Sequence, residues 1–269
     1  MRWRKPPPEP AVTRVAYGTD PDQFAEWRAP VLGAPAPVAT AVLLHGGFYR
    51  SAYTLDLMRP LAADLVARGW AVFNTEYRRP DAHGWPATLS DLDAALGALR
   101  GLPQFDAGVP LVVFGHSAGG QLALELAEAE GDALPEGAAP VGAPAFAPPF
   151  VPPIALAVSL AGVVDLGYAV EHRLSSDAVV MALGGTPDEV PGRYAAADPA
   201  RFERRRAPWL LVQGTGDSAD FIAMNRRVSA RPELGHPELL EAPGDHFAII
   251  DPASPLWRAT VARVEALLA

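Results

Sequence analysis

The sequence contains no cysteine. Its absence excludes disulfides, thiolate nucleophiles and zinc sites with sulfur ligands, and the location it suggests is cytoplasmic. No stretch approaches the roughly 18 uninterrupted apolar residues of a membrane-spanning helix, so no membrane span is expected. Positive charge is scarce. Lys and Arg number 22 against 31 Asp and Glu, a net charge of −9. Without a long basic run there is no phosphate footprint, and a nucleic-acid partner is not expected. The densest cationic cluster, Arg201, Arg204, Arg205 and Arg206, is interleaved with Glu203 and reads as a solvated helix face. The first residues, Met1–Pro8, are basic but lack a following apolar core, so they do not read as a signal peptide. Residues 1–11 read as a flexible N-terminus.

What is present is an alternation. Short apolar runs at Val38–Leu44, Ala71–Asn74, Leu111–Phe114, Ile154–Leu160, Trp209–Val212 and Glu238–Glu241 read as buried strands. Helical spacing marks Leu55–Arg68, Leu89–Leu99 (with Ser90 as a cap), Gln121–Ala129, Asp220–Val228 and Pro255–Leu268. Strands alternating with helices predict a mostly parallel central sheet covered on both faces. Val12–Tyr17 and Phe24–Trp27 add antiparallel edge strands. The segment 131–153 is dense in Pro, Ala and Gly and reads as a surface insertion, because proline removes a backbone donor and clashes with the preceding turn. No linker separates two cores, so one α/β domain over 1–269 is the expectation.

The chemistry concentrates at Gly115-His116-Ser117-Ala118-Gly119, a G-x-S-x-G pattern between a strand and a helix. Such an elbow lifts a serine hydroxyl above the carboxyl edge of a sheet and puts the next N–H, that of Ala118, at a helix N-terminus. A serine hydroxyl needs a base, and the base needs an orienting acid. With the chain order Ser, acid, His, three histidines follow Ser117: His172, His236 and His246. His246 lies just after the last strand, where a base can overhang the sheet edge. His236 precedes that strand and belongs at its opposite end. For the acid, Asp217 follows the Trp209–Val212 strand between turn-forming residues; Asp220 and Asp245 are rivals. His45-Gly46-Gly47-Phe48 opens a loop at another strand end, and the N–H groups of Gly47 and Phe48, with that of Ala118, are the expected oxyanion donors. Aromatic and polar residues expected to line the pocket are Tyr49, Tyr53, Trp85, His116 and Tyr168.

These residues resemble the α/β-hydrolase superfamily over nearly the whole chain. The likeness is to the branch with an HGG oxyanion motif, which holds carboxylesterases and kynurenine formamidases. His45-Gly-Gly-Phe-Tyr49 is similar to the formamidase HGGxW motif, with Tyr49 where tryptophan is usual. Glu76–Pro80, Trp85-Pro-Ala87 and Asp91 resemble a supporting YR…PA…D segment, Gly214–Asp217 the acid loop, and Gly244–Phe247 the histidine loop. The acid loop departs from the pattern, running Ser218-Ala-Asp-Phe221 where a Val-Pro pair is usual.

The resemblance implies an α/β-hydrolase fold and a serine hydrolase without metal or other cofactor. The expected substrate is a small-molecule ester, cleaved through an acyl-enzyme on Ser117. An arylformamidase or other amidase is the alternative within enzymes, and a non-catalytic ligand-binding homologue the alternative outside them. The expected oligomeric state is monomer or homodimer.

Overall fold

A computed structural model describes residues 11–29, 36–129 and 153–269. The expected flexible N-terminus (residues 1–10 of it) and residues 131–152 of the expected insertion lie outside the described residues. The chain order is β1 (Thr13–Ala16), β2 (Phe24–Arg28), β3 (Thr40–Leu44), α1 (Arg59–Ala67), β4 (Ala71–Thr75), α2 (Pro80–His83), α3 (Trp85–Arg100), β5 (Leu111–His116) and α4 (Ala118–Ala129). It continues through β6 (Ile154–Leu160), α5 (Leu166–Glu171), α6 (Ala178–Leu183), α7 (Pro191–Ala197), β7 (Trp209–Gly214), α8 (Ala219–Ser229), β8 (Glu238–Ala242) and α9 (Pro255–Leu268).

The strands form one sheet in the order β1-β2-β4-β3-β5-β6-β7-β8. β1 and β2 run antiparallel at one edge, and β3 to β8 pair in parallel. Alternating side chains divide the core. Val42, Leu44, Phe73, Val113 and Leu211 pack on one face with Leu92 and Leu96 of α3, Leu122 of α4 and Met224 of α8. Leu43, Val72, Phe114, Leu210 and Val212 pack on the other with Leu61 and Leu65 of α1 and Trp257 and Val261 of α9. Strands buried on both faces explain why they read as unbroken apolar runs. Full burial of each such side chain contributes about 1.5–3 kcal/mol before entropy is counted.

Parallel pairing brings the carboxyl ends of β3, β5, β7 and β8 to one edge of the sheet. Peptide groups tie that edge together just beyond the strands. Ser117 N–H donates to Leu160 O (2.9 Å), Ala161 N–H to Val212 O (2.8 Å), and Thr215 N–H to Ala242 O (2.9 Å).

Some local expectations differ from the structure. α3 begins at Trp85 rather than Leu89, with Gly84 as its N-cap and Pro86 in its first turn, so Ser90 is no cap; proline is tolerated there because the first-turn N–H groups have no intrahelical acceptor. The arginine cluster is no helix face. A short 3-10 turn at Pro199–Arg201, capped by Asp198, ends before Phe202, and the residues up to Pro208 are irregular. Between β6 and β7 stand α5, α6 and α7, which the sequence pattern did not signal.

Candidate active site

The elbow after β5 forces Ser117 into the left-handed region, φ 55°, at a cost of about 1–2 kcal/mol for a residue with a Cβ. Four backbone bonds hold it there: Ser117 N–H to Leu160 O, and Ser117 O accepting from Gly120 N–H (2.8 Å), Val163 N–H (3.2 Å) and Gln121 N–H (3.4 Å). The flanking glycines are required by space. A Cβ on Gly115 would lie 1.8 Å from Gly119 O, and one on Gly119 would lie 2.3 Å from Leu44 O. The turn therefore closes against β3, and α4 starts at once with Ala118, whose N–H has no acceptor among the described residues.

The loop after β3 has three consecutive positive φ values: Gly47 (121°), Phe48 (48°) and Tyr49 (63°). Tyr53 lies across Gly47, where a Cβ would meet its ring at 2.5 Å. The N–H groups of Gly47 and Phe48 have no acceptor among the described residues. Beneath the loop, His45 is fully buried, with Nδ1 2.8 Å from Gly46 O and Nε2 2.9 Å from Glu76 Oε1. Glu76 also accepts from Leu55 N–H (2.9 Å) and from the Arg79 guanidinium. Burial pulls this carboxyl up, but the His45 bond and the other donors outweigh it and hold it below the usual range. Tyr77 stacks on His45 and donates to His45 O (2.7 Å). Arg78 pairs with Asp91 (2.7 Å). The Glu76–Asp91 segment thus supports the loop from below.

His246 and Asp217 come from the loops after β8 and β7. Asp217 Oδ2 lies 2.8 Å from His246 Nδ1. Gln213 Nε2 donates to the same oxygen (3.0 Å), and Ser218 N–H donates to Oδ1 (2.6 Å). Burial raises the Asp217 carboxyl, but the bond and charge of His246, with the Ser218 and Gln213 donors, hold it below its ordinary value. With Nδ1–H committed to Asp217, the basic lone pair of the neutral ring sits on Nε2. Asp245 caps the histidine loop by accepting from Phe247 N–H and Ala248 N–H. Asp220 accepts from Tyr168 OH (3.0 Å) and lies beside His172 (3.3 Å). Neither rival acid reaches His246 in the hydrogen bonds of the site. His236 sits ahead of β8, at the other end of that strand.

Ser117 and His246 line one cavity of about 260 Å³, together with Gly47, Phe48, Tyr53 and His116. Its remaining described walls are Arg50, Leu57, Ser175, Phe221 and Phe247, none of which the sequence marks as a pocket residue. The rings interlock: Phe48 meets Phe221 edge-on (6.0 Å), and Phe221 leans on His246 (4.4 Å). His116 donates from Nε2 to His246 O (2.9 Å), tying the elbow to the histidine loop. Burial, then the neighbouring His246, push the His116 pKa down to about 3, which keeps the ring neutral.

Three expected pocket residues are elsewhere. Tyr49 is 2% exposed and turned into the core, bonded to Gln121 Oε1 (3.0 Å). Trp85, 4% exposed, packs edge-on against it. The left-handed turn at Tyr49 aims its ring below the loop, away from the cavity. Tyr168 belongs to a larger surface hollow of about 680 Å³, beside Asp165, Asp198 and Arg227. That hollow is lined by neither Ser117 nor His246, which both line the smaller cavity.

Comparison with known proteins places this arrangement. A model of the BD-FAE family matches residues 32–226. Among curated proteins none matches the chain. Solved structures match throughout. Esterase B from Lactobacillus rhamnosis superposes with a TM-score of 0.74 at 18% identity, over 98% of this chain and 86% of its own. A bacterial heroin esterase gives 0.72 at 20% identity, over 97% and 86%. A thermophilic esterase from the planctomycete Thermogutta terrifontis gives 0.68 at 21% identity, over 99% and 95%.

Proposed function

The chain belongs to the BD-FAE family within the α/β-hydrolase superfamily, and on that premise we propose that it is a serine hydrolase of small-molecule carboxylic esters. The observation that carries this reading is the Asp217–His246 hydrogen bond behind a strained serine that shares one cavity with His246. The esterases among its structural relatives agree with it.

In this mechanism His246 Nε2 takes the proton of Ser117 Oγ as that oxygen bonds to the ester carbonyl carbon. The carbonyl electron pair moves to its oxygen, which the N–H groups of Gly47, Phe48 and Ala118 receive. Losing one such donor costs about 3–4 kcal/mol of barrier. Asp217 holds the ring and balances the imidazolium. Collapse breaks the carbon–oxygen bond to the alcohol, which leaves with the proton from His246. Water then reverses the roles and frees the acid. The aromatic walls suit a small, largely apolar substrate. His116 acts as a cavity wall and as an anchor for the His246 backbone. The lack of cysteine keeps the cytoplasmic reading.

The test is hydrolysis of p-nitrophenyl esters, acetate to octanoate, by wild type and Ser117→Ala, with labelling by a fluorophosphonate. Turnover and labelling that both vanish in Ser117→Ala are expected. A folded wild type that does neither belongs to the non-catalytic class. An aryl formamide assayed beside the esters ranks the amidase reading.

A further inference from the structure

The cavity has one feature that ester chemistry does not use. Among the described residues lining it there is no carboxylate, although the protein carries nine more acidic than basic side chains. Its one permanently charged wall is Arg50. Arg50 forms no ion pair with any described carboxylate, whereas Arg78, Arg79 and Arg59 nearby in the fold each do. Its guanidinium is not loose. Nη2 donates to Ser175 O, and Ser175 lies in a tight turn where Arg173, Ser175, Ser176 and Asp177 all have positive φ, pinned by the Arg173–Asp177 pair. A guanidinium has five N–H donors. One is spent on the carbonyl that fixes the group, and the others remain to meet a ligand.

An anchored, unpaired guanidinium is built to accept an anion. Little rotamer entropy remains to be lost on binding, and its planar fork matches a carboxylate with two parallel bonds. The rest of the cavity supplies the other half of the ligand. Phe48, Tyr53, Phe221 and Phe247 offer ring faces and edges, and Leu57 closes between them. A volume of about 260 Å³ holds one aromatic ring with a substituent, since a pocket of roughly 150 Å³ already holds benzene.

We propose that Arg50 is a specificity-determining residue that selects aryl esters carrying a carboxylate, binding that group while the ester lies against Ser117. This rests on the esterase reading above, and the experiment separates the two. Two pairs of substrates place the charge on either side of the ester: 4-nitrophenyl 4-carboxybenzoate against 4-nitrophenyl 4-methylbenzoate, and 4-acetoxybenzoate against 4-acetoxytoluene. Each is assayed with wild type, Arg50→Gln and Arg50→Lys. Glutamine keeps an N–H for Ser175 O and removes the charge. In at least one pair the ratio of kcat/KM, anionic over neutral, falls about 10- to 100-fold in Arg50→Gln, as expected for loss of a charge-assisted bidentate contact. The loss lies in KM and returns in part with Arg50→Lys. Ratios within twofold of wild type in both pairs overturn the proposal. Calorimetry of monomethyl terephthalate on Ser117→Ala, with Arg50 and with Arg50→Gln, judges the contact without turnover. Tighter binding with Arg50 and no ester hydrolysis by wild type would sink the esterase reading and retain the carboxylate site. Equal binding beside active wild type would do the reverse.

Discussion

Among the described residues two of the histidine–carboxylate pairs have nearly the same length, and only one of the two faces a cavity. His45–Glu76 (2.9 Å) lies under the loop after β3, and His246–Asp217 (2.8 Å) over the edge beyond β7 and β8. In the first, both partners are sealed, and the second ring nitrogen is taken by Gly46 O. In the second, the histidine is 21% exposed and its Nε2 has no acceptor among the described residues. The carboxylate in each pair is held below its usual pKa by the same kind of partner. What separates a structural pair from a proposed catalytic one is the fate of the far nitrogen.

That contrast can be broken by experiment. Asp217→Asn is expected to lower kcat on a p-nitrophenyl ester by about 10⁴-fold, because the amide favours the wrong ring tautomer, while the thermal midpoint moves little. Glu76→Gln is expected to do the opposite. It removes the buried anion that His45 and Arg79 share and leaves Arg79 with Asp22 alone, costing about 3–5 kcal/mol, read by urea unfolding, while the enzyme that remains folded keeps most of its kcat. A stable Glu76→Gln with a collapsed kcat would put both pairs in the chemistry.

A third carboxylate sharpens the point, because it has the burial without a cation. Glu125 of α4 touches Gln121 Nε2 (2.6 Å), and burial, only partly offset by that donor, pushes its pKa up to about 8. Its folded pKa exceeds the unfolded one. The folded state therefore binds more protons between about 4.5 and 8, and this group's contribution to stability falls as pH rises through that window. Glu125→Gln is expected to melt higher than wild type at pH 9, by roughly 5 °C, with the ionisation part of the gain vanishing near pH 4. A gain independent of pH would mean that Glu125 is not a buried acid of this kind.

The sheet and the motif loops were readable from sequence because their signals are local.

Results

Sequence analysis

The sequence contains no cysteine. Its absence excludes disulfides, thiolate nucleophiles and zinc sites with sulfur ligands, and the location it suggests is cytoplasmic. No stretch approaches the roughly 18 uninterrupted apolar residues of a membrane-spanning helix, so no membrane span is expected. Positive charge is scarce. Lys and Arg number 22 against 31 Asp and Glu, a net charge of −9. Without a long basic run there is no phosphate footprint, and a nucleic-acid partner is not expected. The densest cationic cluster, Arg201, Arg204, Arg205 and Arg206, is interleaved with Glu203 and reads as a solvated helix face. The first residues, Met1–Pro8, are basic but lack a following apolar core, so they do not read as a signal peptide. Residues 1–11 read as a flexible N-terminus.

What is present is an alternation. Short apolar runs at Val38–Leu44, Ala71–Asn74, Leu111–Phe114, Ile154–Leu160, Trp209–Val212 and Glu238–Glu241 read as buried strands. Helical spacing marks Leu55–Arg68, Leu89–Leu99 (with Ser90 as a cap), Gln121–Ala129, Asp220–Val228 and Pro255–Leu268. Strands alternating with helices predict a mostly parallel central sheet covered on both faces. Val12–Tyr17 and Phe24–Trp27 add antiparallel edge strands. The segment 131–153 is dense in Pro, Ala and Gly and reads as a surface insertion, because proline removes a backbone donor and clashes with the preceding turn. No linker separates two cores, so one α/β domain over 1–269 is the expectation.

The chemistry concentrates at Gly115-His116-Ser117-Ala118-Gly119, a G-x-S-x-G pattern between a strand and a helix. Such an elbow lifts a serine hydroxyl above the carboxyl edge of a sheet and puts the next N–H, that of Ala118, at a helix N-terminus. A serine hydroxyl needs a base, and the base needs an orienting acid. With the chain order Ser, acid, His, three histidines follow Ser117: His172, His236 and His246. His246 lies just after the last strand, where a base can overhang the sheet edge. His236 precedes that strand and belongs at its opposite end. For the acid, Asp217 follows the Trp209–Val212 strand and is flanked by turn-forming glycines; Asp220 and Asp245 are rivals. His45-Gly46-Gly47-Phe48 opens a loop at another strand end. The N–H groups of Gly47 and Phe48, with that of Ala118, are the expected oxyanion donors. Residues expected to line the pocket are Tyr49, Tyr53, Trp85, His116 and Tyr168.

These residues resemble the α/β-hydrolase superfamily over nearly the whole chain. The likeness is to the branch with an HGG oxyanion motif, which holds carboxylesterases and kynurenine formamidases. His45-Gly-Gly-Phe-Tyr49 is similar to the formamidase HGGxW motif, with Tyr49 where tryptophan is usual. Glu76–Pro80, Trp85-Pro-Ala87 and Asp91 resemble a supporting YR…PA…D segment, Gly214–Asp217 the acid loop, and Gly244–Phe247 the histidine loop. The acid loop departs from the pattern, running Ser218-Ala-Asp-Phe221 where a Val-Pro pair is usual.

The resemblance implies an α/β-hydrolase fold and a serine hydrolase without metal or other cofactor. The expected substrate is a small-molecule ester, cleaved through an acyl-enzyme on Ser117. An arylformamidase or other amidase is the alternative within enzymes, and a non-catalytic ligand-binding homologue the alternative outside them. The expected oligomeric state is monomer or homodimer.

Overall fold

A computed structural model describes residues 11–29, 36–129 and 153–269. Residues 1–10 of the expected flexible N-terminus and residues 131–152 of the expected insertion lie outside the described residues. The chain order is β1 (Thr13–Ala16), β2 (Phe24–Arg28), β3 (Thr40–Leu44), α1 (Arg59–Ala67), β4 (Ala71–Thr75), α2 (Pro80–His83), α3 (Trp85–Arg100), β5 (Leu111–His116) and α4 (Ala118–Ala129). It continues through β6 (Ile154–Leu160), α5 (Leu166–Glu171), α6 (Ala178–Leu183), α7 (Pro191–Ala197), β7 (Trp209–Gly214), α8 (Ala219–Ser229), β8 (Glu238–Ala242) and α9 (Pro255–Leu268).

The strands form one sheet in the order β1-β2-β4-β3-β5-β6-β7-β8. β1 and β2 run antiparallel at one edge, and β3 to β8 pair in parallel. Alternating side chains divide the core. Val42, Leu44, Phe73, Val113 and Leu211 pack on one face with Leu92 and Leu96 of α3, Leu122 of α4 and Met224 of α8. Leu43, Val72, Phe114, Leu210 and Val212 pack on the other with Leu61 and Leu65 of α1 and Trp257 and Val261 of α9. Burial on both faces explains why these strands read as unbroken apolar runs. Each fully buried side chain of this size contributes about 1.5–3 kcal/mol before entropy is counted. Among the described residues no helix is long and apolar enough to cross a membrane.

Parallel pairing brings the carboxyl ends of β3, β5, β7 and β8 to one edge of the sheet. Peptide groups tie that edge together just beyond the strands. Ser117 N–H donates to Leu160 O (2.9 Å), Ala161 N–H to Val212 O (2.8 Å), and Thr215 N–H to Ala242 O (2.9 Å).

Some local expectations differ from the structure. α3 begins at Trp85 rather than Leu89, with Gly84 as its N-cap and Pro86 in its first turn, so Ser90 is no cap. Proline is tolerated there because first-turn N–H groups have no intrahelical acceptor. The arginine cluster is no helix face. A short 3-10 turn at Pro199–Arg201, capped by Asp198, ends before Phe202, and the chain is irregular up to Pro208. Between β6 and β7 stand α5, α6 and α7, which the sequence pattern does not signal.

Candidate active site

The elbow after β5 forces Ser117 into the left-handed region, φ 55°, at a cost of about 1–2 kcal/mol for a residue with a Cβ. Four backbone bonds hold it there. Ser117 N–H donates to Leu160 O, and Ser117 O accepts from Gly120 N–H (2.8 Å), Val163 N–H (3.2 Å) and Gln121 N–H (3.4 Å). The flanking glycines are required by space. A Cβ on Gly115 would lie 1.8 Å from Gly119 O, and one on Gly119 would lie 2.3 Å from Leu44 O. The turn therefore closes against β3. α4 starts at once with Ala118, whose N–H has no acceptor among the described residues.

The loop after β3 has three consecutive positive φ values: Gly47 (121°), Phe48 (48°) and Tyr49 (63°). Tyr53 lies across Gly47, where a Cβ would meet it at 2.5 Å. The N–H groups of Gly47 and Phe48 have no acceptor among the described residues. Beneath the loop, His45 is fully buried, with Nδ1 2.8 Å from Gly46 O and Nε2 2.9 Å from Glu76 Oε1. Glu76 also accepts from Leu55 N–H (2.9 Å) and from the Arg79 guanidinium. Burial pulls this carboxyl up, but the His45 bond and the other donors outweigh it and hold it below the usual range. Tyr77 stacks on His45 and donates to His45 O (2.7 Å). Arg78 pairs with Asp91 (2.7 Å). The Glu76–Asp91 segment thus supports the loop from below.

His246 and Asp217 come from the loops after β8 and β7. Asp217 Oδ2 lies 2.8 Å from His246 Nδ1. Gln213 Nε2 donates to the same oxygen (3.0 Å), and Ser218 N–H donates to Oδ1 (2.6 Å). Burial raises the Asp217 carboxyl, but the bond and charge of His246, with the Ser218 and Gln213 donors, hold it below its ordinary value. With Nδ1–H committed to Asp217, the lone pair of the neutral ring sits on Nε2. Asp245 instead braces the histidine loop, accepting from Phe247 N–H and Ala248 N–H. Asp220 accepts from Tyr168 OH (3.0 Å) and lies beside His172 (3.3 Å). His236 sits ahead of β8, away from the loop that carries His246.

Ser117 and His246 line one cavity of about 260 Å³, together with Gly47, Phe48, Tyr53 and His116. Its other described walls are Arg50, Leu57, Ser175, Phe221 and Phe247, none of which the sequence marks as a pocket residue. The rings interlock. Phe48 meets Phe221 edge-on (6.0 Å), and Phe221 leans on His246 (4.4 Å). His116 donates from Nε2 to His246 O (2.9 Å), tying the elbow to the histidine loop. Burial, then the neighbouring His246, push the His116 pKa down to about 3, which keeps this ring neutral.

Three expected pocket residues are elsewhere. Tyr49 is 2% exposed and turned into the core, bonded to Gln121 Oε1 (3.0 Å). Trp85, 4% exposed, packs edge-on against it. Tyr168 belongs to a larger surface hollow of about 680 Å³, beside Asp165, Asp198 and Arg227. That hollow is lined by neither Ser117 nor His246, which both line the smaller cavity.

Comparison with known proteins sets this arrangement in context. A model of the BD-FAE family matches residues 32–226. Among curated proteins none matches the chain. Solved structures match throughout. Esterase B from Lactobacillus rhamnosis superposes with a TM-score of 0.74 at 18% identity, over 98% of this chain and 86% of its own. A bacterial heroin esterase gives 0.72 at 20% identity, over 97% and 86%. A thermophilic esterase from the planctomycete Thermogutta terrifontis gives 0.68 at 21% identity, over 99% and 95%.

Proposed function

The chain belongs to the BD-FAE family within the α/β-hydrolase superfamily, and on that premise we propose that it is a serine hydrolase of small-molecule carboxylic esters. The observation that carries this reading is the Asp217–His246 hydrogen bond behind a strained serine that shares one cavity with His246. The esterases among its structural relatives agree with it.

In this mechanism His246 Nε2 takes the proton of Ser117 Oγ as that oxygen bonds to the ester carbonyl carbon. The carbonyl electron pair moves to its oxygen, which the N–H groups of Gly47, Phe48 and Ala118 receive. Losing one such donor costs about 3–4 kcal/mol of barrier. Asp217 holds the ring and balances the imidazolium. Collapse breaks the carbon–oxygen bond to the alcohol, which leaves with the proton from His246. Water then reverses the roles and frees the acid. The aromatic walls suit a small, largely apolar substrate. His116 serves as a cavity wall and as an anchor for the His246 backbone. The lack of cysteine keeps the cytoplasmic reading.

The test is hydrolysis of p-nitrophenyl esters, acetate to octanoate, by wild type and Ser117→Ala, with labelling by a fluorophosphonate. Turnover and labelling that both vanish in Ser117→Ala are the expected result. A folded wild type that shows neither belongs to the non-catalytic class. An aryl formamide assayed beside the esters ranks the amidase reading.

A further inference from the structure

The cavity has one feature that ester chemistry does not use. Among the described residues lining it there is no carboxylate, although the protein carries 31 acidic side chains against 22 basic ones. Its one permanently charged described wall is Arg50. Arg59, Arg78 and Arg79 are each paired with a carboxylate, whereas Arg50 forms no ion pair with any described residue. Its guanidinium is held all the same. Nη2 donates to Ser175 O, and Ser175 lies in a tight turn where Arg173, Ser175, Ser176 and Asp177 all have positive φ, pinned by the Arg173–Asp177 pair. A guanidinium has five N–H donors. One is spent on the carbonyl that fixes the group, and the others remain to meet a ligand.

An anchored guanidinium without an anion is suited to binding one. Little rotamer entropy remains to be lost on binding, and its planar fork matches a carboxylate with two parallel bonds. The rest of the cavity suits the other half of such a ligand. Phe48, Tyr53, Phe221 and Phe247 supply aromatic walls, and Leu57 adds an aliphatic one. A volume of about 260 Å³ holds one aromatic ring with a substituent, since a pocket of roughly 150 Å³ already holds benzene.

We propose that Arg50 is a specificity-determining residue that selects aryl esters carrying a carboxylate, binding that group while the ester lies against Ser117. This rests on the esterase reading above, and the experiment separates the two. Two pairs of substrates place the charge on either side of the ester: 4-nitrophenyl 4-carboxybenzoate against 4-nitrophenyl 4-methylbenzoate, and 4-acetoxybenzoate against 4-acetoxytoluene. Each is assayed with wild type, Arg50→Gln and Arg50→Lys. Glutamine keeps an N–H for Ser175 O and removes the charge. In at least one pair the ratio of kcat/KM, anionic over neutral, falls about 10- to 100-fold in Arg50→Gln, the size of a lost charge-assisted contact. The loss lies in KM and returns in part with Arg50→Lys. Ratios within twofold of wild type in both pairs overturn the proposal. Calorimetry of monomethyl terephthalate on Ser117→Ala, with Arg50 and with Arg50→Gln, judges the contact without turnover. Tighter binding with Arg50, beside a wild type that hydrolyses no ester, would sink the esterase reading and retain the carboxylate site. Equal binding beside an active wild type would do the reverse.

Discussion

Among the described residues two of the histidine–carboxylate pairs have nearly the same length, and they sit in opposite surroundings. His45–Glu76 (2.9 Å) lies under the loop after β3, and His246–Asp217 (2.8 Å) over the sheet edge beyond β7 and β8. In the first, both side chains are sealed and the second ring nitrogen is taken by Gly46 O. In the second, the histidine side chain is 21% exposed and lines the cavity. The carboxylate of each pair is held below its usual pKa against the pull of burial, chiefly by its histidine. What separates a supporting pair from a proposed catalytic one is the fate of the far nitrogen.

That contrast can be broken by experiment. Asp217→Asn is expected to lower kcat on a p-nitrophenyl ester by about 10⁴-fold, because the amide favours the wrong ring tautomer, while the thermal midpoint moves little. Glu76→Gln is expected to do the opposite. It removes the buried anion that His45 and Arg79 share and leaves Arg79 with Asp22 alone, costing about 3–5 kcal/mol in urea unfolding, while the enzyme that stays folded keeps most of its kcat. A stable Glu76→Gln with a collapsed kcat would put both pairs in the chemistry.

A third carboxylate sharpens the comparison, because it has the burial without the histidine. Glu125 of α4 accepts from Gln121 Nε2 (2.6 Å), and burial, offset in part by that donor, pushes its pKa up to about 8. The folded pKa exceeds the unfolded one, near 4.3 for glutamate. Between those values the folded state binds more protons, so this group's contribution to stability falls as pH rises through that window. Glu125→Gln is expected to melt higher than wild type at pH 9, by roughly 5 °C, with the ionisation part of the gain gone at pH 4. A gain independent of pH would mean that Glu125 is not a buried acid of this kind.

The sheet and the motif loops were readable because their signals are local. Ile154–Leu160 has the expected bounds, and the two antiparallel edge strands fall where Val12–Tyr17 and Phe24–Trp27 were read. Ser117, Asp217 and His246 follow strand ends, so chain order and topology alone bring their loops together. Tyr53 and His116 line the cavity as expected, but its other walls are not readable in the same way. Arg50, Ser175 and Phe247 come from segments with no periodic pattern, and their convergence is a tertiary fact. Tyr49 misleads because an aromatic two residues beyond a glycine pair reads as a pocket wall; its left-handed φ turns the ring toward Gln121 instead. The α5–α7 region was silent because helices of six or seven residues are too short for an apolar face to repeat.

The run of peptide bonds along the carboxyl edge has a consequence for how freely such a chain can drift. Ser117, Ala161 and Thr215 each donate across to the neighbouring strand, so the spacing of the serine, acid and histidine loops is measured out in N–H and C=O groups that any residue except proline brings. Side chains can then be exchanged wholesale while the loops stay in register. The structural relatives, at 18–21% identity over almost the whole chain, are what such tolerance permits. The exceptions are the few places where backbone meets backbone, above all Gly115 and Gly119, and it is there that variation should be most sharply restricted.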